Sequence, residues 1–139
     1  MTIRRFDGEH RFLSNFYYHE DGFTLEHYYQ AAKCVDPRAA ARIMEADSPG
    51  QAKRMGQRVE LRPDWEDVKL IIMARLVNKK FDKPRMERLL IATVPHVLIE
   101  GNTWGDRFWG QVDGEGENWL GRLLMLKRSS LIERRSEWR

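Results

Sequence analysis

Two features on which exported and membrane proteins depend are scarce or missing in this chain of 139 residues. Its single cysteine, Cys34, cannot form an internal disulfide, so a disulfide-stabilised fold is excluded. No apolar run approaches the roughly 20 residues of a membrane span, and the N-terminal stretch MTIRRFDGEH does not contain the apolar segment of a signal peptide. We therefore expect a cytoplasmic protein with no membrane partner.

The excess of charge of one sign is also small. The net charge is +3, although 32% of the residues are charged. A surplus of this size is compatible with an anionic ligand, but it is thin for a protein that binds duplex DNA. Much of it lies between residues 122 and 139, where glutamates dilute it, and we interpret this stretch as the solvated end of a helix.

Recognisable metal and nucleophile motifs are missing too. His10, His19 and His27 are scattered without the spacing of a zinc site. Ser14 has no nucleophile-elbow context, and the segment DGEGENWLG departs from the GxGxxG of dinucleotide-binding turns. We predict neither a metal nor a cofactor.

What the sequence does contain is a series of helix start signals. Asp36–Pro37, Ser48–Pro49 and Pro63–Asp64 each combine a capping side chain with a proline, and the last of these is predicted to open the longest helix. The other predicted elements are a first helix over 25–34, a helix from 84, a last helix from about 118, and strands over 3–6, 22–25 and 96–100. Without a repeat or a linker, we expect one domain over residues 1–139.

Aromatic residues are concentrated in two segments. The first, FLSNFYYHEDGFTLEHYYQAAK, runs from residue 12 to residue 33 and leads into the first helix. The second, GNTWGDRFWGQVDGEGE, has no regular pattern but contains Trp104, Phe108 and Trp109. Irregular loops of this length in a compact domain are usually functional or disordered, and the aromatic residues argue against disorder. We interpret the second segment as a pocket wall.

The helical period separates two faces of the first helix. Tyr28, Ala31, Ala32 and Val35 are predicted to form an apolar face. Glu26, Gln30 and Lys33 project from another face, with Tyr29 at its edge. This face is either an ordinary surface ion pair or part of a pocket. In a pocket, the pKa of the carboxyl would be raised and it could act as an acid, while a desolvated lysine could act as a nucleophile.

A cluster of three cations and one asparagine each have two open interpretations. Lys53, Arg54 and Arg58 cluster around Gly56, as a phosphate site or as ordinary helix-surface charge. Asn118 is the N-cap of the last helix or a hydrogen-bonding residue of the pocket.

Five segments in order resemble the motifs of the YbiA/NADAR family. They are FLSNFY, EHYYQAAK, MGQRVELRPDWEDVK, GNTWGDRFWG and GENWLGRLLM. The resemblance implies a compact α+β, mainly helical single-domain fold with a few short strands. It also implies hydrolysis of N-glycosidic bonds in ribosylated nitrogen compounds. Some members act on early phosphoribosyl-aminopyrimidine intermediates of riboflavin synthesis, and others remove ADP-ribose from guanine in nucleic acid or nucleotides.

The resemblance also implies roles for individual residues. Glu26 corresponds to the family's essential glutamate. Lys33 corresponds to the family's lysine, for which the formation of a Schiff base with the opened ribose is an attractive role. Asn15 and Phe16 would line the sugar side. The other motif positions expected around the ligand are Trp65, Trp104, Asp106, Trp109 and Asn118, with Asp106 counted among the catalytic residues. Tyr29 and Gln30 of the EHYYQAAK segment are counted among the substrate-binding residues. Gln57 and Glu117 depart from the family pattern, which often has Arg and Lys there.

We therefore predict an N-glycosidase that cleaves the C1′–N bond of a phosphorylated ribosyl amine. Its substrate would be a small molecule, and nucleic acid would take part only as an ADP-ribosylated substrate. Arg54 and Arg58 are predicted to bind phosphate, and the tryptophans to stack on the heterocycle. The alternatives are an ADP-ribosyl glycohydrolase acting on guanine, a non-catalytic module that binds ADP-ribose or a nucleotide, and an interaction domain with an aromatic core.

Overall fold

The computed structural model describes residues 1–137, so Arg139, one of the C-terminal cations, lies outside the described residues. The fold is mainly helical with a few strand residues, as predicted, and the described residues form one short parallel sheet. Its elements in chain order are β1 (Thr2–Ile3), a 3₁₀ helix (Gly8–Leu13), α1 (Leu25–Ala32), α2 (Pro37–Met44), α3 (Pro49–Gly56), α4 (Trp65–Lys80), α5 (Pro84–Ile91), β2 (Val97–Leu98) and α6 (Trp119–Glu137). Thr2 pairs with Val97 and Ile3 with Leu98.

The helix start signals are confirmed where a side chain caps the helix. Asp36 accepts a hydrogen bond of 2.8 Å from the Arg38 backbone N–H at the start of α2. The Ser48 hydroxyl accepts one of 3.1 Å from the Gln51 N–H at the start of α3. The prediction that α4 is the longest helix is wrong, because α4 has 16 residues and α6 has 19.

Fewer residues form strands than the sequence predicted. Residues 22–25 form no strand within the described chain; Thr24 makes only an isolated bridge with Tyr18. The reason is local, since Thr24 caps α1 by accepting a hydrogen bond from the His27 N–H while its own N–H donates to the His27 ring. The strands over 3–6 and 96–100 shrink to two residues each, and the 3₁₀ helix was not predicted.

The contacts divide the chain into two compact units, which we call unit 1 (Met1–Ser14 and Val77–Arg139) and unit 2 (Asn15–Leu76). In unit 2, α1 packs against α2 and α3. Its buried apolar side chains include Leu25, Ile43 and Met73, each 1% exposed. Unit 2 therefore has its own core, which holds α1 in place.

In unit 1, α6 packs against α5 and β2. Two C-terminal cations are integrated into this packing. Lys127 is 7% exposed, and its ammonium group donates to Asn78 and Asp82 at 2.5 and 2.7 Å. Arg128 donates to the Thr93 hydroxyl at 2.8 Å. The interpretation of this stretch as solvated charge is therefore wrong for Lys127, which is a satisfied buried cation.

None of the helices in the described residues is long and apolar enough to cross a membrane.

Candidate active site

The polar side of α1, not its apolar side, is the buried one. Glu26 is 7% exposed and Gln30 is 3% exposed, while Val35 is 49% exposed. Tyr28, Ala31 and Ala32 are only half-buried. The residues of the predicted apolar face are therefore not the most buried ones, and the open choice between a surface pair and an enclosed site is resolved towards enclosure for Glu26.

Glu26 is fixed by both its backbone and its side chain. It lies in the first turn of α1, where the helix dipole stabilises a negative charge. Its N–H donates to the Asn15 carbonyl at 3.0 Å, which connects the FLSNFY segment to α1. Its Oε1 accepts a hydrogen bond of 2.7 Å from Gln30 Nε2, one helical turn later. A buried carboxylate held in this way has a defined orientation.

Lys33 follows the last residue of α1 and lies against two aromatic rings. Its Nζ is 5.6 Å from the centroid of the Tyr29 ring and 6.0 Å from that of Trp65. The two rings pack against each other with centroids 5.1 Å apart, and both residues are 5% exposed. The Lys33 carbonyl accepts a hydrogen bond of 2.8 Å from the Arg62 N–H, which anchors the segment before α4 at the end of α1.

The surroundings of Lys33 lower the pKa of its amine. Burial is the main cause, the Glu26 carboxylate opposes it, and the neighbouring cations Lys53 and Lys69 lower the pKa further. A larger fraction of the amine is therefore neutral than in an exposed lysine. Sequence reasoning missed Lys69, although it lies one helical turn after Trp65 on α4 and the period alone could have found it.

The remaining predicted residues of unit 2 are less enclosed. Asn15 is half-buried, and its Oδ1 is buried with no hydrogen-bond partner within residues 1–137. Phe16 is 42% exposed. Arg54 lies in α3 and Arg58 just after it, and both are exposed.

The predicted residues of unit 1 lie in the aromatic loop and at the start of α6. Asp106 Oδ1 accepts hydrogen bonds from the N–H groups of Phe108 and Trp109, at 3.0 and 2.8 Å. Its own N–H donates to Asn102 Oδ1 at 3.0 Å. Trp104 is 59% exposed. The loop is therefore ordered by side chain–backbone bonds, and the catalytic role of Asp106 stays a prediction.

Asn118 connects the start of α6 to the end of β2. It is 6% exposed, its Nδ2 donates to the Leu98 carbonyl, and its Oδ1 accepts from the Glu100 N–H, both at 2.9 Å. Its backbone φ of 54° lies in the left-handed region, which asparagine tolerates better than most residues. A cavity of about 160 Å³ in unit 1 is lined by residues that include Arg5, Glu100 and Trp104.

Residues 1–137 contain no group of three or more histidine, cysteine, aspartate or glutamate side chains placed to hold a metal ion.

Comparison with known proteins decides the family. The sequence model of the NADAR domain matches residues 4–132, nearly the whole chain. The chain belongs to the NADAR family. Every site residue predicted from the motifs lies within the matched residues, and the family resemblance stated from the motifs is confirmed.

The chain is also similar to several proteins with curated names. The chain is 40% identical to the N-glycosidase YbiA of Escherichia coli (strain K12) over 112 residues, which cover 78% of this chain and 69% of the relative. It is 36% identical to the riboflavin biosynthesis protein VVA0006 of Vibrio vulnificus, over 91% of this chain and 37% of that protein. It is 40% identical to the chloroplastic riboflavin biosynthesis protein PYRR of Zea mays, of which it spans 20%.

The fold matches that of a solved structure. The NMR structure of E. coli YbiA matches with a TM-score of 0.82 and 35% sequence identity, covering 99% of this chain and 87% of that one. This match confirms the mainly helical α+β fold class.

Proposed function

We propose that this protein is a hydrolase of N-glycosyl bonds that cleaves the C1′–N bond of a phosphorylated ribosyl amine. Early phosphoribosyl-aminopyrimidine intermediates of riboflavin biosynthesis are the substrates we favour. The observation that carries the proposal is the buried Glu26 carboxylate on the same helix that leads to the Lys33 amine. The 40% identity to an N-glycosidase and the names of the riboflavin biosynthesis relatives support it.

Glu26 is the group we assign to the reacting sugar. Glycosidic bonds break through a transition state that resembles an oxocarbenium ion, which a nearby carboxylate stabilises. Positioned proton transfer contributes a further factor of roughly 10²–10⁴. Because Glu26 is 7% exposed, its charge is less screened by water than that of a surface carboxylate. In this route Glu26 directs a water molecule onto C1′.

Lys33 supports a second route to the same products. Its neutral amine attacks C1′ of the ring-opened sugar, and the nitrogen of the base leaves with a proton. Water then hydrolyses the resulting imine, which releases the sugar and restores the amine. The lowered pKa of Lys33, whose main cause is burial, favours the neutral form that this route needs.

Binding of the phosphate group is the next part of the proposal. The exposed guanidinium groups of Arg54 and Arg58 can form charge-assisted hydrogen bonds with it. Lys53 and Lys69, whose charges act on Lys33, add to the positive field in unit 2. The unsatisfied Oδ1 of Asn15 would accept a hydrogen bond from a ribose hydroxyl that reached it. Stacking of the base on Trp104 and Trp109 stays a prediction from the motifs.

The test is a chromatographic assay of released base and sugar. The purified protein is offered a phosphoribosyl-aminopyrimidine and, in parallel, ADP-ribosyl-guanosine. We expect release from the first substrate. Release from the second alone would replace our substrate with ADP-ribosylated guanine. Two intact substrates that nevertheless bind would favour a non-catalytic binding module.

A further inference from the structure

The side-chain amide of Gln30 is buried and makes a hydrogen bond within the protein. Its Nε2 donates to Glu26 Oε1 at 2.7 Å. An ionised carboxylate offers only acceptors, so the NH₂ group of the amide, and not its oxygen, must face Glu26. The opposite atom, Oε1, is buried and has no hydrogen-bond partner within residues 1–137. Gln30 as a whole residue is 3% exposed, so neither end of the amide is presented to solvent.

Gly56, the last residue of α3, leaves the space that this amide occupies. A methyl group on Gly56 would overlap Gln30 Oε1 and would lie 2.7 Å from Gln30 Cδ and 3.1 Å from Gln30 Cβ. The first two approaches are closer than real side chains tolerate. Any larger residue at position 56 therefore has to displace Gln30.

Backbone conformation does not account for the glycine at this position. Five glycines of the described chain have a positive φ, and Gly56 is not among them. The residue after it, Gln57, is the C-cap and has an ordinary helical φ of −75°. Glycine is also less favourable than alanine within a helix. Space for Gln30 is the remaining physical reason for a glycine here.

We propose that Gln30 is a positioning residue for Glu26, and that Gly56 holds Gln30 in the position where it does this. Gln30 Nε2 fixes one carboxylate oxygen of Glu26, which leaves the other oxygen oriented for the sugar or for water. This inference rests on the proposed function, and it replaces the substrate-binding role that the motifs suggested for Gln30.

The first arm of the test does not require activity. Carbon-13 NMR follows the titration of the Glu26 carboxyl in the wild type and in Gln30→Leu. We expect the midpoint to move to higher pH in the variant, because a carboxylate that loses a hydrogen-bond donor holds its proton more tightly. Lys33, whose charge also acts on Glu26, is present in both proteins. An unchanged midpoint would contradict the proposal that Gln30 donates a hydrogen bond to the Glu26 carboxylate.

The second arm uses two glycines of the same helix. Gly56→Ala should lower kcat by about 10-fold or more, by analogy with the groups that orient metal-binding side chains, with little change in KM. Gly50→Ala is the matched control, because its methyl group would meet only Arg54 and Ser48 at ordinary distances of 3.5 and 3.8 Å. Equal kcat values for the two variants would contradict the proposal.

A double-mutant cycle separates this effect from a general loss of structure. Gly56→Ala introduced into Gln30→Ala should cause little further loss, since the side chain that it displaces is already gone. Additive losses would show that Gly56 acts elsewhere. If the wild type releases no base at all, the proposed function fails, and the NMR arm, with the same spectra of Gly56→Ala and Gly50→Ala, still decides whether Gly56 and Gln30 control Glu26.

Discussion

Glu26 and Lys33 come from one short motif but have different surroundings. The carboxylate is paired with an amide at 2.7 Å in the first turn of α1. The amine lies at the other end of the helix against the rings of Tyr29 and Trp65. The first arrangement orients a charged group. Burial of Lys33 lowers the pKa of its amine and so makes the neutral form more accessible. The oriented carboxylate and the more readily neutral amine therefore suit different steps of the proposed reaction.

The imine route predicts a pH dependence and a covalent adduct. Because burial lowers the pKa of Lys33 from its ordinary 10.5, kcat should rise with pH and level off below that value. Borohydride added during turnover should trap a sugar adduct that mass spectrometry locates on Lys33. Lys53→Arg, which keeps the neighbouring cation, should still be labelled, and Lys33→Arg should not. No mass shift in the wild type would leave only the water route through Glu26.

Helices illustrate what local sequence can and cannot determine. The starts of α2 and α3 were predictable because Asp36 and Ser48 cap them through bonds within a few residues. The inward face of α1 was not predictable, because burial of Glu26 depends on which elements pack against the helix. The strand expected over 22–25 failed for a similar reason, since the cap formed by Thr24 outweighs its strand propensity.

Lys80, the last residue of α4, makes the stability of the fold depend on pH. It is 5% exposed, its Nζ donates to the Ser14 carbonyl at 2.8 Å, and burial lowers its pKa from 10.5 to about 7. Between these values the unfolded chain binds a proton on this lysine that the folded chain does not. The free energy of unfolding should therefore rise with pH in this window, by at most about 1.4 kcal/mol per unit.

Urea denaturation at about pH 7 and about pH 9 measures this slope. Lys80→Met should remove it. Lys79→Met is the matched control, because Lys79 is the adjacent residue of α4 and is exposed. If Lys80→Met and the wild type have the same slope, Lys80 is not the group that titrates.

At the scale of the whole molecule, the order of several motifs identified the family, which no single pattern of residues did. Residue spacing alone left Glu26 and Lys33 open between a surface pair and a site, while five motifs in order identified the family that the match to residues 4–132 confirms. The contacts of individual side chains could be learned only from the structure. Asp106 and Asn118 stand at motif positions, yet their hydrogen bonds order a loop and connect a helix to a strand.

The most direct test of the account is to compare ligand binding and turnover in Glu26→Gln. This change keeps the size of the side chain and removes its charge. Calorimetry should show that the variant still binds the phosphoribosyl-aminopyrimidine, while chromatography should show base release reduced by roughly 10²–10⁴-fold. Equal release by the variant and the wild type would contradict a catalytic role for Glu26.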